Sequence, residues 1–146
     1  MLISDLANSD AIPTLELTMK FAGARQRLIA HNIANLSTPD FQPLDVDPAK
    51  FAARLRSAVE RRRQATGSQR GELRMESSDE IGVDGSGRLR LTPKTPSGNI
   101  LFHDRNNRDV EKLMQANAEN VGVYRVSAEL LRSRYEVLRS AIAERA

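Results

Sequence analysis

Few side chains in this 146-residue chain have the types and spacing that catalysis requires. The two histidines, His31 and His103, lie far apart, and no serine or carboxylate arrangement around either indicates a nucleophile with its base. The chain has no cysteine, which excludes thiol catalysis, a disulfide framework and a cysteine-bound metal. Because no set of nucleophile, base and oxyanion donors can be assembled, we expect no enzymatic activity.

An acidic group near the last third of the chain is the candidate for cation binding. It consists of Asp104, Asp109 and Glu111. Arg105 and Arg108 lie among these acids, and the glycine spacing of a calcium loop is missing. We favour a helix-capping role, in which acids in the first helical turn stabilise the helix dipole. The sequence therefore predicts neither a metal nor another cofactor.

The most distinctive polar segment is residues 32–41, NIANLSTPDF. Its polar residues bracket a proline, so it is either a ligand site or the end of a helix followed by a turn. We favour the second interpretation, in which Asn35 or Ser37 satisfies terminal carbonyl groups and Pro39 forces the chain out of the helix. Subunit contact is compatible with that role. The candidate assembly residues in this segment are Asn32, Ile33, Asn35, Thr38, Pro39 and Phe41.

Arginines cluster in the middle of the chain, at residues 61–63 and at Arg54, Arg56, Arg70 and Arg74. With a net charge of +3 and a pI near 9.7, a small basic helical nucleic-acid-binding protein is the alternative function. No aromatic residues interleave with these arginines and no binding motif accompanies them. A solvated face is therefore favoured, contact with an acidic neighbour comes second, and no nucleic acid is expected.

Two heptad patterns must position these residues. Residues 109–145 predict a C-terminal helix with one polar member, Asn117, in its apolar series, and residues 10–37 predict an N-terminal helix capped by Asp10, with Gln26 as its polar member. The C-terminal series is Val110, Met114, Val121, Tyr124, Ala128, Leu131, Tyr135, Leu138 and Ile142. The N-terminal series is Ile12, Leu15, Met19, Ala22, Ile29, Ile33 and Leu36.

The predicted fold is mainly α: one domain, residues 1–146, whose two long terminal helices form an antiparallel coiled-coil-like hairpin. An aromatic content of only 4% fits an elongated helical protein better than a bulky core. The variable middle, residues 38–108, is expected to be partly irregular, with a short helix from Pro48 to about Gln64. Residues 64–98 have isolated apolar side chains, and the two short runs around the turn at 84–87 are compatible with a β-hairpin.

Register and interface follow from this hairpin. If Leu36 lies near Val110, Gln26 falls near Asn117, and we expect a shared hydrogen-bonded layer that fixes the register. The C-terminal series is the longer one, so its distal part must face solvent or another subunit. The candidate interface residues on the C-terminal helix are Asn117, Tyr124, Leu131, Tyr135, Leu138 and Ile142.

Three stretches together resemble the flagellar basal-body rod and hook family. Residues 32–41 resemble its N-I-A-N-x-x-T-P-G-[YF] signature, with Asp40 in place of glycine. Residues 104–111 are similar to D-G-N-N-V-D-x-[ED], with Arg105 and Arg108 as departures. Residues 118–124 and 131–142 are similar to its C-terminal helix, and the ending looks most like that of the proximal rod members.

The resemblance implies a structural protein of the periplasmic rod, the drive shaft between motor and hook. Such proteins leave the cytoplasm by flagellar type III export, which agrees with an N-terminus that lacks a cleavable signal peptide. Implied partners are copies of the chain, other rod subunits and the junction of the export gate with the MS ring. No apolar run reaches membrane-spanning length, so no membrane insertion is expected.

Overall fold

The computed structural model describes residues 11–67, 71–84, 87–96 and 110–144. Its elements are α1 (Ile12–Ala34), α2 (Pro48–Thr66), β1 (Ile81–Val83), β2 (Leu89–Leu91) and α3 (Val110–Ala143). The mainly helical class with a small antiparallel sheet is confirmed. The Asp10 cap, His103, Arg70, Asp104 and Asp109 lie outside the described residues.

The two terminal helices are close to their predicted lengths. Pro13 lies in the first turn of α1, where its missing N–H removes no hydrogen bond. The helix ends at Ala34, five residues before Pro39, and residues 35–40 form turns. The 34 residues of α3 contain no proline, and Glu111 in its first turn favours the dipole.

Helices α1 and α3 pack side by side and run in opposite directions. Gln26, late in α1, contacts Asn117, early in α3, whereas Glu16 contacts Tyr135 much further along α3. Ala22 and Ile29 are buried on α1, and Asn120 and Leu131 are buried on α3. The pairing therefore has the predicted antiparallel sense.

The predicted apolar series of α3 is only partly its buried face. Val110, Met114 and Ile142 are 42%, 44% and 55% exposed, whereas Asn120 and Ser127, which lie outside the series, are buried. A straight helix of 3.6 residues per turn drifts away from a strict seven-residue repeat by about 20° per heptad. The exposure of Ile142 agrees with the expectation that the distal end of the series extends beyond α1, whereas the exposure of Val110 and Met114 shows that the expected packing of the proximal end on α1 is wrong.

A second core lies between α1 and the middle of the chain. Phe21 on α1 stacks on Phe51 on α2, with ring centroids 4.0 Å apart and ring planes 3° from parallel. Met75 and Ile81 are buried in the same cluster, although they are isolated apolar residues in the sequence. The complete buried cluster is Leu17, Phe21, Val46, Phe51, Leu55, Ala58, Met75 and Ile81.

Local signals define α2 and the hairpin. Asp47 caps α2 by accepting a hydrogen bond from Ala49 N–H at 2.8 Å, and Gly67 ends it in the left-handed conformation, with φ 63°. In the hairpin Ile81 pairs with Leu91 and Val83 with Leu89, which confirms the predicted β-hairpin. α2 itself runs two residues beyond its predicted end at Gln64.

Candidate assembly site

Asn32 joins the end of α1 to the extended segment that follows the turn. Its Nδ2 donates to the Leu44 carbonyl oxygen at 2.8 Å, and its Oδ1 accepts from the Leu44 N–H at 3.1 Å. The side chain is 3% exposed. Because both polar atoms are used in this buried amide-to-backbone pair, Asn32 has a structural role in holding the segment against α1.

The capping role predicted for Asn35 is confirmed. Asn35 Nδ2 donates to the His31 carbonyl oxygen at 2.9 Å, and the Thr38 N–H donates to the Asn35 carbonyl oxygen at 2.9 Å. The Phe41 ring lies 5.5 Å from the His31 ring. Pro39 and Thr38 are exposed and Ile33 is half-buried, so part of this cap faces outward.

Asp40 is the one non-glycine residue in the described chain with a positive φ, 56°. This left-handed conformation crowds Cβ, and glycine adopts it without that cost. Aspartate tolerates it better than most residues. A glycine at this position would therefore form the turn with less strain than Asp40 does.

The hydrogen-bonded layer predicted between the terminal helices is present. Gln26 Nε2 donates to Asn117 Oδ1 at 2.7 Å, and Asn120 Nδ2 donates to Gln26 Oε1 at 2.8 Å. Asn120 Nδ2 also lies 2.9 Å from the Ala22 carbonyl oxygen and donates to it. A shift of either helix by one turn would break all three bonds, so the layer can select a single register.

Two tyrosines on α3 contact α1. Tyr124 packs over Gly23, where an added Cβ would lie 3.7 Å from the Tyr124 ring. Tyr135 donates its hydroxyl to Glu16 Oε1 at 2.7 Å, and this bond raises the pKa of the Tyr135 phenol. Both rings are nevertheless more than 40% exposed, Tyr124 at 44% and Tyr135 at 41%. Each tyrosine thus offers part of its surface to other molecules.

The distal candidates on α3 differ in exposure. Leu131 is buried within the chain, Leu138 is half-buried and Ile142 is exposed. The expectation that these side chains form one uncovered surface is therefore wrong for Leu131, because the chain's own packing already covers it.

Sequence patterns missed a second apolar set on α3, on faces that the heptad reading assigned to charges. Val123, Val126, Leu130 and Val137 are all large, apolar and exposed. Their spacing of three, four and seven residues is a helical pattern that could have identified this set. The longer apolar series on the same helix was the stronger signal.

A buried ion pair, also missed, ties α1 to the middle of the chain. Arg25 Nε and Nη2 donate to Asp45 Oδ1 and Oδ2 at 2.9 and 2.6 Å, and Arg25 is 6% exposed. Asp45 also forms a two-bond backbone bridge with Lys94. No sequence spacing links these three positions, so only the folded chain reveals the contact.

Glu80, in the middle of the chain, is a further buried charged residue. Lys50 Nζ lies 2.5 Å from Glu80 Oε1, and Lys94 Nζ lies 3.8 Å from the same oxygen. The hydrogen bond from Lys50 holds the pKa of Glu80 below its usual value and raises the pKa of Lys50. These groups border a groove of about 790 Å³ whose walls carry both signs of charge and therefore select no one ligand class.

Within the described part of the chain, no group of three histidine, cysteine, aspartate or glutamate side chains is arranged to hold a metal ion. No helix there has the length and apolar character needed to cross a bilayer. No protein-family model matches the sequence, and no curated protein matches it significantly.

Proposed function

We propose that this chain is a structural subunit of the proximal rod of the bacterial flagellar basal body. It assembles with other rod proteins and with copies of itself into the shaft that transmits torque from motor to hook. It performs no catalysis. In this proposal it is exported without a cleaved signal peptide and also contacts the junction of the export gate with the MS ring.

The distribution of exposed apolar side chains carries the proposal. Among the residues that the structure describes, all nine exposed large apolar side chains lie on α3. A helix that packs against α1 and still exposes so many apolar groups is typical of an interaction surface. A polymer of helical subunits would bury these groups between neighbours and so gain the hydrophobic free energy that the isolated chain does not.

The terminal helices supply the second support. Their antiparallel packing and the polar layer at Gln26 and Asn117 fit a coiled-coil-like hairpin with one register. A subunit that transmits torque needs such a fixed register, because slippage between helices would dissipate the applied force.

The turn at residues 35–41 supplies the third support. It is fixed to α1 by Asn32 and Asn35, yet it presents the exposed residues Thr38 and Pro39. A rigid, outward-facing turn at the end of a helix suits subunit contact, the role that the family resemblance implies for this signature.

Nucleic-acid binding is the alternative, and α2 is the element it would use. Arg56 and Arg63 are exposed there. However, Arg61 pairs with Glu76, and Arg54 donates to the carbonyl oxygens of Glu76 and Ser77, so part of the positive charge is used within the chain. This internal pairing makes α2 a weaker phosphate-binding surface than its composition indicates.

Two measurements on the purified protein separate these functions. The rod proposal predicts concentration-dependent assembly into sedimenting filaments without nucleic acid, reduced by Ile142→Asp at an exposed site on α3. The alternative predicts a monomer that binds duplex DNA with strong salt dependence. A protein that stays monomeric at high concentration and is retained on DNA would refute the rod proposal.

A further inference from the structure

Val123, Val126, Leu130 and Val137 form a second apolar stripe on α3, called here the outer stripe. Their exposed fractions are 46%, 60%, 49% and 59%. At 3.6 residues per turn the outer stripe lies roughly a quarter of a turn around the helix from Asn120 and Leu131, which are buried on the α1 side. The outer stripe is therefore not covered by α1 and is open to another partner.

We propose that the outer stripe pairs with the outer stripe of a second copy of this chain, with the two α3 helices parallel and in register. The inference rests on the proposed function, in which copies of the chain are neighbours. Beyond the proposed function, the inference specifies the face of α3 through which two copies contact each other and the relative direction of their α3 helices.

The residue types favour a parallel pair. In heptad terms Val123, Leu130 and Val137 occupy a positions and Val126 occupies a d position. In register, each of these side chains meets its own counterpart, and β-branched residues at a favour two-stranded parallel pairs. Ser133, at the next d position, is small and polar, so it leaves room in the seam without placing a charge there.

Charges beside the outer stripe select the direction. Glu129 occupies a g position and Arg134 the following e position, and both are exposed. In a parallel pair a g side chain faces the e side chain five residues later on the other helix, so Glu129 faces Arg134 of the second copy, and two-fold symmetry repeats the contact.

An antiparallel pair would bring unfavourable groups together. The g positions then face each other, and when Val126 is aligned with Leu130 of the second copy, Glu129 faces its own counterpart, so two carboxylates meet. Aligning Val126 with Leu130 of the second copy also places Val137 opposite Glu119, so an apolar group meets a carboxylate. These contacts therefore disfavour the antiparallel arrangement of this stripe.

Single-cysteine variants test the pairing directly, because the chain contains no cysteine of its own. Val123→Cys and Val137→Cys place a thiol near either end of the outer stripe, about 21 Å apart along the helix. In a parallel pair each thiol lies beside its own counterpart. In an antiparallel pair each lies beyond the roughly 7 Å Cα separation that a disulfide allows. Arg125→Cys, exposed on another face, is the matched control.

We expect oxidation of the full-length protein to give several-fold more disulfide dimer with Val123→Cys and Val137→Cys than with Arg125→Cys. Adding Leu130→Lys should abolish the excess while the melting temperature of the monomer stays unchanged, because Leu130 is exposed in it. Equal crosslinking of all three variants, or crosslinking only when the Val123→Cys and Val137→Cys proteins are mixed, would overturn the parallel pairing.

The result is separable from the proposed function. Absence of the excess crosslinking in a protein that still builds rods in cells would overturn the pairing alone. Crosslinking by a chain that cells do not need for the rod would overturn the rod function and leave the pairing intact.

Discussion

At the scale of single residues, the left-handed Asp40 shows how this chain keeps a turn that glycine would form with less strain. Its φ of 56° costs a β-carbon-bearing residue roughly 1–2 kcal/mol. We expect Asp40→Val to destabilise the fold by about that amount, because a β-branched side chain tolerates this region worst. Asp40→Gly should change stability by less than about 1 kcal/mol, since relieved strain offsets the greater freedom of glycine in the unfolded chain.

Chemical denaturation of the two variants checks this prediction, with the glycine variant as the matched control. Equal unfolding midpoints for the two variants would show that the turn at Asp40 does not require the left-handed conformation.

The polar layer between α1 and α3 predicts a strong coupling between Gln26 and Asn117. Asn117→Leu removes the acceptor of the 2.7 Å bond and leaves the half-buried Gln26 Nε2 without it, at a cost of about 1–3 kcal/mol, while Gln26 Oε1 keeps its bond from Asn120. Gln26→Leu should be costly for the same reason. The double variant should be less destabilised than the sum of the two, with a coupling energy of about 0.5–3 kcal/mol.

A double-mutant cycle from urea denaturation measures this coupling. Strict additivity of the two substitutions would mean that the bond between Gln26 and Asn117 contributes nothing to the pairing of α1 with α3.

Glu80 predicts a specific acid sensitivity. Lys50 lowers the pKa of the folded carboxyl, so the stabilisation is complete above the unfolded pKa, about 4.3, and is lost as pH falls through the folded value. Glu80→Gln keeps the shape but not the charge. Between neutral pH and about pH 3, wild type should therefore lose more stability than this variant.

Melting temperatures of both proteins across that pH range give the comparison. Glu76, whose pKa is lowered by Arg61, is present in both proteins and so cancels in the difference. Parallel curves for wild type and Glu80→Gln would show that the Lys50 contact does not contribute to folding stability.

At the scale of the elements, two adjacent leucines on α3 distinguish its faces. Leu131 is 8% exposed and Leu130 is 49% exposed. Leu131→Ala should cost the monomer about 2–5 kcal/mol, as expected for a buried leucine. Leu130→Ala should cost less than about 1 kcal/mol. Thermal unfolding of the two variants at low protein concentration measures the difference, and equal costs would refute the assigned orientation of α3.

Periodicity predicted the elements well, because heptad spacing, proline positions and turn residues are local signals. Periodicity also predicted that Gln26 lies opposite Asn117, because two continuous antiparallel helices can pair in only a few registers. It failed where contacts depend on distant segments. The stacking of Phe21 on Phe51 and the pairing of Arg25 with Asp45 have no local pattern.

The same reasoning explains the errors on α3. A seven-residue pattern was extended over the whole helix, although a straight helix drifts from it. The buried position of Asn120 and the exposure of Met114 follow from that drift. Polar residues such as Asn120 can be placed in a core only when the acceptors opposite them, here the Ala22 carbonyl and Gln26, are known.

At the scale of the whole molecule, α1 packs against both α3 and the middle of the chain. One side of α1 packs on α3, and the other packs on the core formed with α2 and the hairpin. The exposed apolar residues are concentrated on α3. In the proposed rod function, this division would let the middle segment stabilise the fold while the long C-terminal helix takes part in assembly.

The most direct test of the central proposal is electron microscopy of basal bodies isolated from a strain of the source bacterium that lacks this chain. A proximal rod subunit predicts MS rings without a rod and cells that do not swim. Expression of the wild-type chain should restore both. Complete rods and normal swimming in the deletion strain would contradict the proposal that this chain is a subunit of the flagellar rod.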